Sequence, residues 1–174
     1  EQRQLVGTPA YMAPEQTGFA NLDIDTRADV YALGAVLYEL LTLATPFDAA
    51  TLSAQGPEGM LKLIRETEPK RPSTRALERT KADPKAAPDH ATDLKGDLDG
   101  ITMRCLEKDR ARRYQTASAL ADDLKRYLNN EPVLASPPSS LYRLKKFVRR
   151  NRTKTAAAAA VIAALSIGLT AASA

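Results

Sequence analysis

The run VYALGAVLYELLTLA, residues 30–44, constrains this chain more than any other stretch. Only Glu39 and Thr42 are clearly polar in it, so a helix drawn through it is apolar on every face. Such a helix lies in a core or crosses a membrane. Crossing takes about 20 consecutive apolar residues. This run is shorter and holds a glutamate, so it is expected to be a central buried helix. Thr26 followed by Asp29 fits a capping box and sets the start near Thr26. Thr45-Pro46-Phe47 stops it, because proline cannot continue the hydrogen-bond ladder.

The rest of the chain arranges itself around that helix. A shorter helix is expected over Pro57–Glu66, with proline in its first turn. Residues 67–96 are poor in apolar side chains and carry Pro69, Pro72, Pro84 and Pro88, which predicts a long surface loop. In DLDGITMRCLEKD, Leu98, Ile101 and Cys105 share one helix face. In TASALADDLKRYL, Ala117, Leu120, Ala121, Leu124, Tyr127 and Leu128 form a stripe, and Thr116 is a suitable N-cap. EPVLASPPSS, residues 131–140, reads as a Pro/Ser linker. Period-2 alternation never persists, so the chain is expected to be mainly α.

Charge is distributed unevenly. The chain carries +4 overall, but residues 141–174 hold seven basic side chains (Arg143, Lys145, Lys146, Arg149, Arg150, Arg152, Lys154) and no acidic one, which leaves −3 for residues 1–140. An acidic body with a short basic segment argues against a nucleic-acid surface and for a local electrostatic device. Cys105, the only cysteine, excludes an internal disulfide and a cysteine metal cluster, and on its apolar stripe it reads as a core residue. His90, the only histidine, reads as a solvated loop residue. No residue here is assigned as a metal ligand.

Three motifs then stand in register: GTPAYMAPEQ (7–16), DTRADVYALGAVLYELLTLATPF (25–47) and CLEKDRARRYQTASALADDLKRYL (105–128). In order and spacing they resemble the second half of a bacterial serine/threonine protein kinase domain. The resemblance implies that Gly7, Thr8, Pro9, Ala10 and Tyr11 belong to a substrate-docking loop that ends in Ala13-Pro14-Glu15. It implies that Asp29 and Gly34 occupy a D-x-x-x-x-G pattern in the central helix of the C-lobe. Arg113, four residues after Asp109, stands at the family's arginine, and Arg110 replaces its usual proline. Glu15 and Arg113 are expected to form a buried ion pair. Thr8 is expected to link the docking loop to a catalytic aspartate, and Asp29 to bond the catalytic-loop backbone.

The family's glycine-rich phosphate loop, strand lysine, His-Arg-Asp loop and Asp-Phe-Gly metal site have no counterpart in these 174 residues. The resemblance therefore implies a C-lobe piece without catalytic residues of its own, inactive alone. ATP, Mg2+ and protein substrates belong to the parent protein. The alternative is a pseudokinase that uses the same fold as a docking or scaffold module at the membrane; the aspartates upstream would separate the two.

The end of the chain bears on location. Ala156–Ala174 carries no charge, and Val161, Ile162, Leu165, Ile167 and Leu169 supply roughly −2 kcal/mol of insertion energy. With the seven cations before it, residues 155–174 are expected to be a transmembrane helix, or the start of one, with the kinase side cytoplasmic in a single-pass inner or plasma membrane protein. The expected division is a partial kinase domain at 1–130, a linker and basic juxtamembrane segment at 131–154, and the span at 155–174. Leu141, Leu144, Phe147 and Val148 would bury one face of an interfacial helix against anionic lipid.

Overall fold

The computed structural model describes residues 8–17, 25–83, 94–136, 139–151, 153 and 155–157. Gly7, His90 and most of the expected span at 155–174 lie outside the described residues. No helix among those described is long and apolar enough to cross a membrane. Two 3-10 turns, Pro9–Tyr11 and Pro14–Thr17, come first. The helices are α1 (Thr26–Thr42), α2 (Ala49–Ala54), α3 (Gly56–Glu66), α4 (Pro72–Ala82), α5 (Asp97–Cys105), α6 (Ala117–Leu128) and α7 (Ser140–Arg150), with a 3-10 turn at Arg110–Arg112 before α6. No strand occurs among the described residues.

The central helix is α1, against which α4, α5 and α6 pack. It begins one residue away from the expected cap. Asp25, not Thr26, is the N-cap: its carboxylate accepts from the Arg27 amide at 2.9 Å and also holds the Arg27 guanidinium. Asp29 stands exposed in the first turn rather than closing a capping box. The helix ends at Thr42, where Leu43 turns left-handed at φ 55°, ahead of Pro46.

Burial of α1 by the described residues is one-sided. Ala28, Val30, Tyr31, Gly34, Ala35, Tyr38 and Thr42 are buried, whereas Leu33, Val36 and Leu40 form an exposed stripe. The neighbouring helices approach from one side and leave the opposite face uncovered by any described residue.

The closest approach in the core explains Gly34. A Cβ built at that position would stand 2.3 Å from the Cys105 Cβ on α5. Ordinary carbon contacts lie near 3.5–4.0 Å. Val30, Ile101, Cys105, Tyr114, Leu120 and Val133 then close one core cluster, and Ala13, Ala28, Tyr31, Ala35, Tyr38 and Leu106 another.

Two further expectations need correction. Residues 67–96 are not one surface loop, because α4 occupies 72–82 with Pro72 in its first turn. Polar composition hid it. Its inner face offers little apolar surface beyond Ala76, Leu77 is exposed, and the helix is fastened by a carboxylate: buried Asp99 accepts from the Ser73 amide at 2.8 Å and from its hydroxyl at 2.6 Å. The α6 stripe is also narrower than expected. Thr116 does cap the helix, through Ala119 N at 3.1 Å, but Ala117 and Leu128 are exposed while Asp123 is fully buried. Asp123 accepts from the Tyr114 hydroxyl and from the Leu134 and Ala135 amides. Residues 131–136 are thereby bound to the body, with Val133 in the core.

Because the α1–α5 crossing is set by Cβ contact, Gly34→Ala is expected to cost about 1–3 kcal/mol, more than alanine's helix propensity returns. Adding Cys105→Ala should give no relief, since the clashing Cβ remains. Thermal melts of both variants check this; an unchanged melting temperature in Gly34→Ala would remove the close-approach explanation.

Candidate functional site

The site begins with the turn-rich segment after residue 7. Pro9 and Pro14 lock φ at the starts of its two 3-10 turns. Tyr11 N donates to Thr8 O at 3.1 Å, and Met12 N to Pro9 O at 3.2 Å. The second turn is closed by Ala13 N donating to Gln16 Oε1 and by the Thr17 hydroxyl donating to Pro14 O. Ala13 and Pro14 are buried, while Thr8 is exposed and makes no capping bond. The segment therefore has an embedded end, Ala13–Glu15, and an open end at Thr8.

Two side chains fix it to the helices. The Tyr11 hydroxyl donates to Glu39 Oε2 at 2.6 Å, and this bond, then burial and the Glu39 charge, raise the tyrosine's pKa. Glu39 was one of two polar interruptions in the central run, and its partner accounts for it.

The stronger attachment is at Glu15. Its two carboxylate oxygens face the Arg113 guanidinium as a fork, with Nη1 to Oε1 at 2.7 Å and Nη2 to Oε2 at 2.8 Å. The Arg113 side chain is 0% exposed and that of Glu15 6%. Arg113 also donates from Nε to Glu107 O, from Nη1 to Arg27 O and from Nη2 to Lys108 O. These bonds use all five guanidinium donors. The Tyr31 ring lies 5.1 Å from the guanidinium carbon. Burial works to raise the Glu15 pKa, but the Arg113 hydrogen bonds, Glu15's own backbone amide and the Arg113 charge outweigh it and hold the carboxyl below its ordinary range.

Neighbouring cations extend the site. Lys108 donates to Ile64 O at 2.6 Å, and burial, then the Arg113 charge, pull its pKa down to about 8. Arg110 reaches Asp25 at 3.4 Å, so the α1 cap carboxylate serves two arginines. The structure thus brings Ala13, Pro14, Glu15 and Arg113 together at the base of α1. It leaves Thr8 and Asp29 on the surface, and Gly34 works at a separate helix crossing. Lys108 and Asp25 escaped the sequence reading. Asp25 sits directly before the helical run, a signal that was available; nothing local marks Lys108. Among the described residues, no group of three or more histidine, cysteine, aspartate or glutamate side chains could hold a metal ion.

Comparison with known proteins locates this arrangement. Residues 1–124 match the protein kinase domain family. The serine/threonine-protein kinase PknB of Mycobacterium tuberculosis H37Rv is 33% identical over 128 residues, which is 74% of this chain and 17% of that protein. A probable serine/threonine-protein kinase of Streptomyces coelicolor, SCO3848, is 33% identical over 132 residues, 76% of this chain and 16% of its own length. The probable PknB of Corynebacterium glutamicum is 31% identical over 130 residues, covering 72% and 17%. The chain therefore spans about a sixth of the length of the curated relatives it matches.

Removing one partner of a buried ion pair costs about 3–5 kcal/mol. Arg113→Ala should therefore lower the melting temperature sharply, whereas Lys125→Ala on the exposed face of α6 should leave it nearly unchanged. The pair also sets a pH dependence. The folded pKa of Glu15 lies below its unfolded value, so its stabilisation is present above the ordinary carboxylate range and is lost as pH falls through the depressed value. Melts from neutral to acid pH should show that loss in wild type and a flatter profile in Glu15→Gln. Equal small effects from Arg113→Ala and Lys125→Ala would remove the pair from this role.

Proposed function

The chain belongs to the protein kinase family, and from that premise we propose that it is the substrate-holding part of a membrane-anchored serine/threonine kinase. The parent protein moves the γ-phosphate of ATP to serine or threonine hydroxyls of protein substrates. The Glu15–Arg113 clamp is the observation that carries the reading. It fixes the end of the docking segment to the lobe's base and leaves the exposed Thr8 to meet other groups.

In this reading residues 1–130 form the lower part of the kinase domain, and the phosphate loop, catalytic aspartate and metal-binding aspartate lie upstream. The exposed stripe Leu33, Val36 and Leu40 on α1 is the face on which that upstream half sits. ATP and Mg2+ supply the transferred group and its charge neutralisation there. The family's catalytic and metal-binding motifs have no counterpart in this sequence, so its residues are assigned no step of the transfer. Their part is positional: Thr8 orients the docking loop toward the catalytic aspartate, and Asp29 bonds the catalytic-loop backbone.

Residues 131–154 are the juxtamembrane segment and 155–174 the span or its beginning. The seven cations at 143–154 keep their side of the membrane cytoplasmic, where ATP is present.

Two experiments on the full-length protein test the halves of this proposal. Thr8→Ala should lower the rate of substrate phosphorylation by roughly 10²-fold through misplacement, and Thr8→Ser, which keeps the hydroxyl, should restore most of it. An unimpaired Thr8→Ala enzyme would end the docking role. Anchoring is read by extraction: a spanning protein resists alkaline carbonate and high salt. Release of the wild-type protein by carbonate would remove the transmembrane segment from the proposal.

A further inference from the structure

We propose that the cleft where α7 lies across the start of α5 and the end of α6 is a binding site for a phosphate-bearing anion, supplied by the headgroup of an acidic phospholipid. The cleft has a volume of about 520 Å³ and is lined by Lys95, Gly96, Lys145, Lys146 and Arg149, with Asp97 as the single carboxylate. Asp97 and Lys146 neutralise each other. They lie 2.5 Å apart with side chains 10% exposed, and the Tyr142 and Ser136 hydroxyls also donate to Asp97. Lys95, Lys145 and Arg149 remain. Among the described residues none of these three has an ion-pair partner.

Three cations without an ion-pair partner among the described residues, set around one concavity between α5, α6 and α7, focus a positive potential into it. A phosphate group suits that geometry, because its several acceptor oxygens take charge-assisted hydrogen bonds from different directions at once. The floor is open to such an approach. Gly96 caps α5 at φ 111°, offers no side chain to the first turn, and has nothing within 4 Å of the place a Cβ would take.

The same helix supplies the reason for a lipid. On α7, Leu144 and Phe147 are 57% and 52% exposed and line an adjoining cleft with Arg143 and Arg150. A free phosphate makes no use of an exposed apolar surface beside its site, whereas a phospholipid presents a phosphate and acyl chains together. A docked α7, held by the Asp97–Lys146 pair, would therefore fix the lobe's attitude to the bilayer. In taking a lipid as the source, this inference rests on the membrane-anchored reading above; the phosphate site does not.

Lys95 distinguishes a built site from diffuse attraction, since it lies outside the basic tail and reaches the cleft only through the fold. The full-length protein in neutral detergent would be melted while inorganic phosphate, short-chain phosphatidylglycerol or short-chain phosphatidylcholine is titrated. Wild type, Lys95→Gln and Lys125→Gln would be compared, the last removing one exposed cation elsewhere. The expected result is a saturable rise in melting temperature with phosphatidylglycerol and none with phosphatidylcholine. Lys95→Gln should weaken the apparent affinity about tenfold, as expected for one lost charge-assisted contact, and Lys125→Gln should leave it unchanged. A response to inorganic phosphate as strong as to phosphatidylglycerol, with the same Lys95 dependence, would uphold the site and overturn the lipid source. No saturable response, or equal weakening in both variants, would overturn the site. Carbonate extraction does not depend on Lys95, so failure here and failure of membrane anchoring are separable.

Discussion

Arg113 is the constraint on which the rest depends. A guanidinium removed from water costs several kcal/mol unless its donors are all engaged, and here all five are, by partners from three separate stretches of chain. Glu15 comes from the turn-rich segment at 8–17, the Arg27 carbonyl from the first turn of α1, and the Glu107 and Lys108 carbonyls from the turn after α5. Moving any one of these strands donors in a site without water access. The fork geometry, which lysine cannot reproduce, therefore sets where the segment at 8–17 meets the helices, and its open end at Thr8 takes its place from there.

The same device recurs with the signs reversed. Asp99, Asp123 and Asp97 each sit at a helix junction and take donors from a distant segment. Asp99 fastens α4 by its first turn, Asp123 holds the Leu134 and Ala135 backbone against α6, and Asp97 receives Lys146 from α7. Short helices with narrow apolar stripes pack well in several registers, because hydrophobic burial has no direction. A buried carboxylate with named donors permits only one. From the turn-rich segment at 8–17 to α7, the lobe is positioned by polar ties laid over an apolar core.

Those ties also join parts with different tasks. Val133 lies in the same core cluster as Val30 of the central helix, and Tyr142 on α7 accepts from the Val133 amide while donating to Asp97. The segment that composition marks as a linker belongs to the body up to residue 136, and α7 is tied to that body through Tyr142 and Lys146.

The sequence by itself determined the elements whose signal is local. The length and apolarity of residues 30–44 required a buried helix, the spacing of Leu98, Ile101 and Cys105 required α5, and Thr116 marked the start of α6. The pairing of Glu15 with Arg113 came from the resemblance of three motifs in register, which carries information that periodicity does not. Signals for α4 and Asp123 were present but outweighed: Pro72 is a first-turn proline in a polar stretch, and Asp123 lies on the apolar stripe three residues after Leu120. Only the tertiary structure decided which face of α1 is covered, because a run apolar on all sides has no preferred side. It alone brought Arg110 to the Asp25 carboxylate that caps α1, a meeting across 85 residues that no local signal marks. It alone placed Lys95 beside Lys145 and Arg149, because charges far apart in sequence become neighbours only when packed helices bring them there.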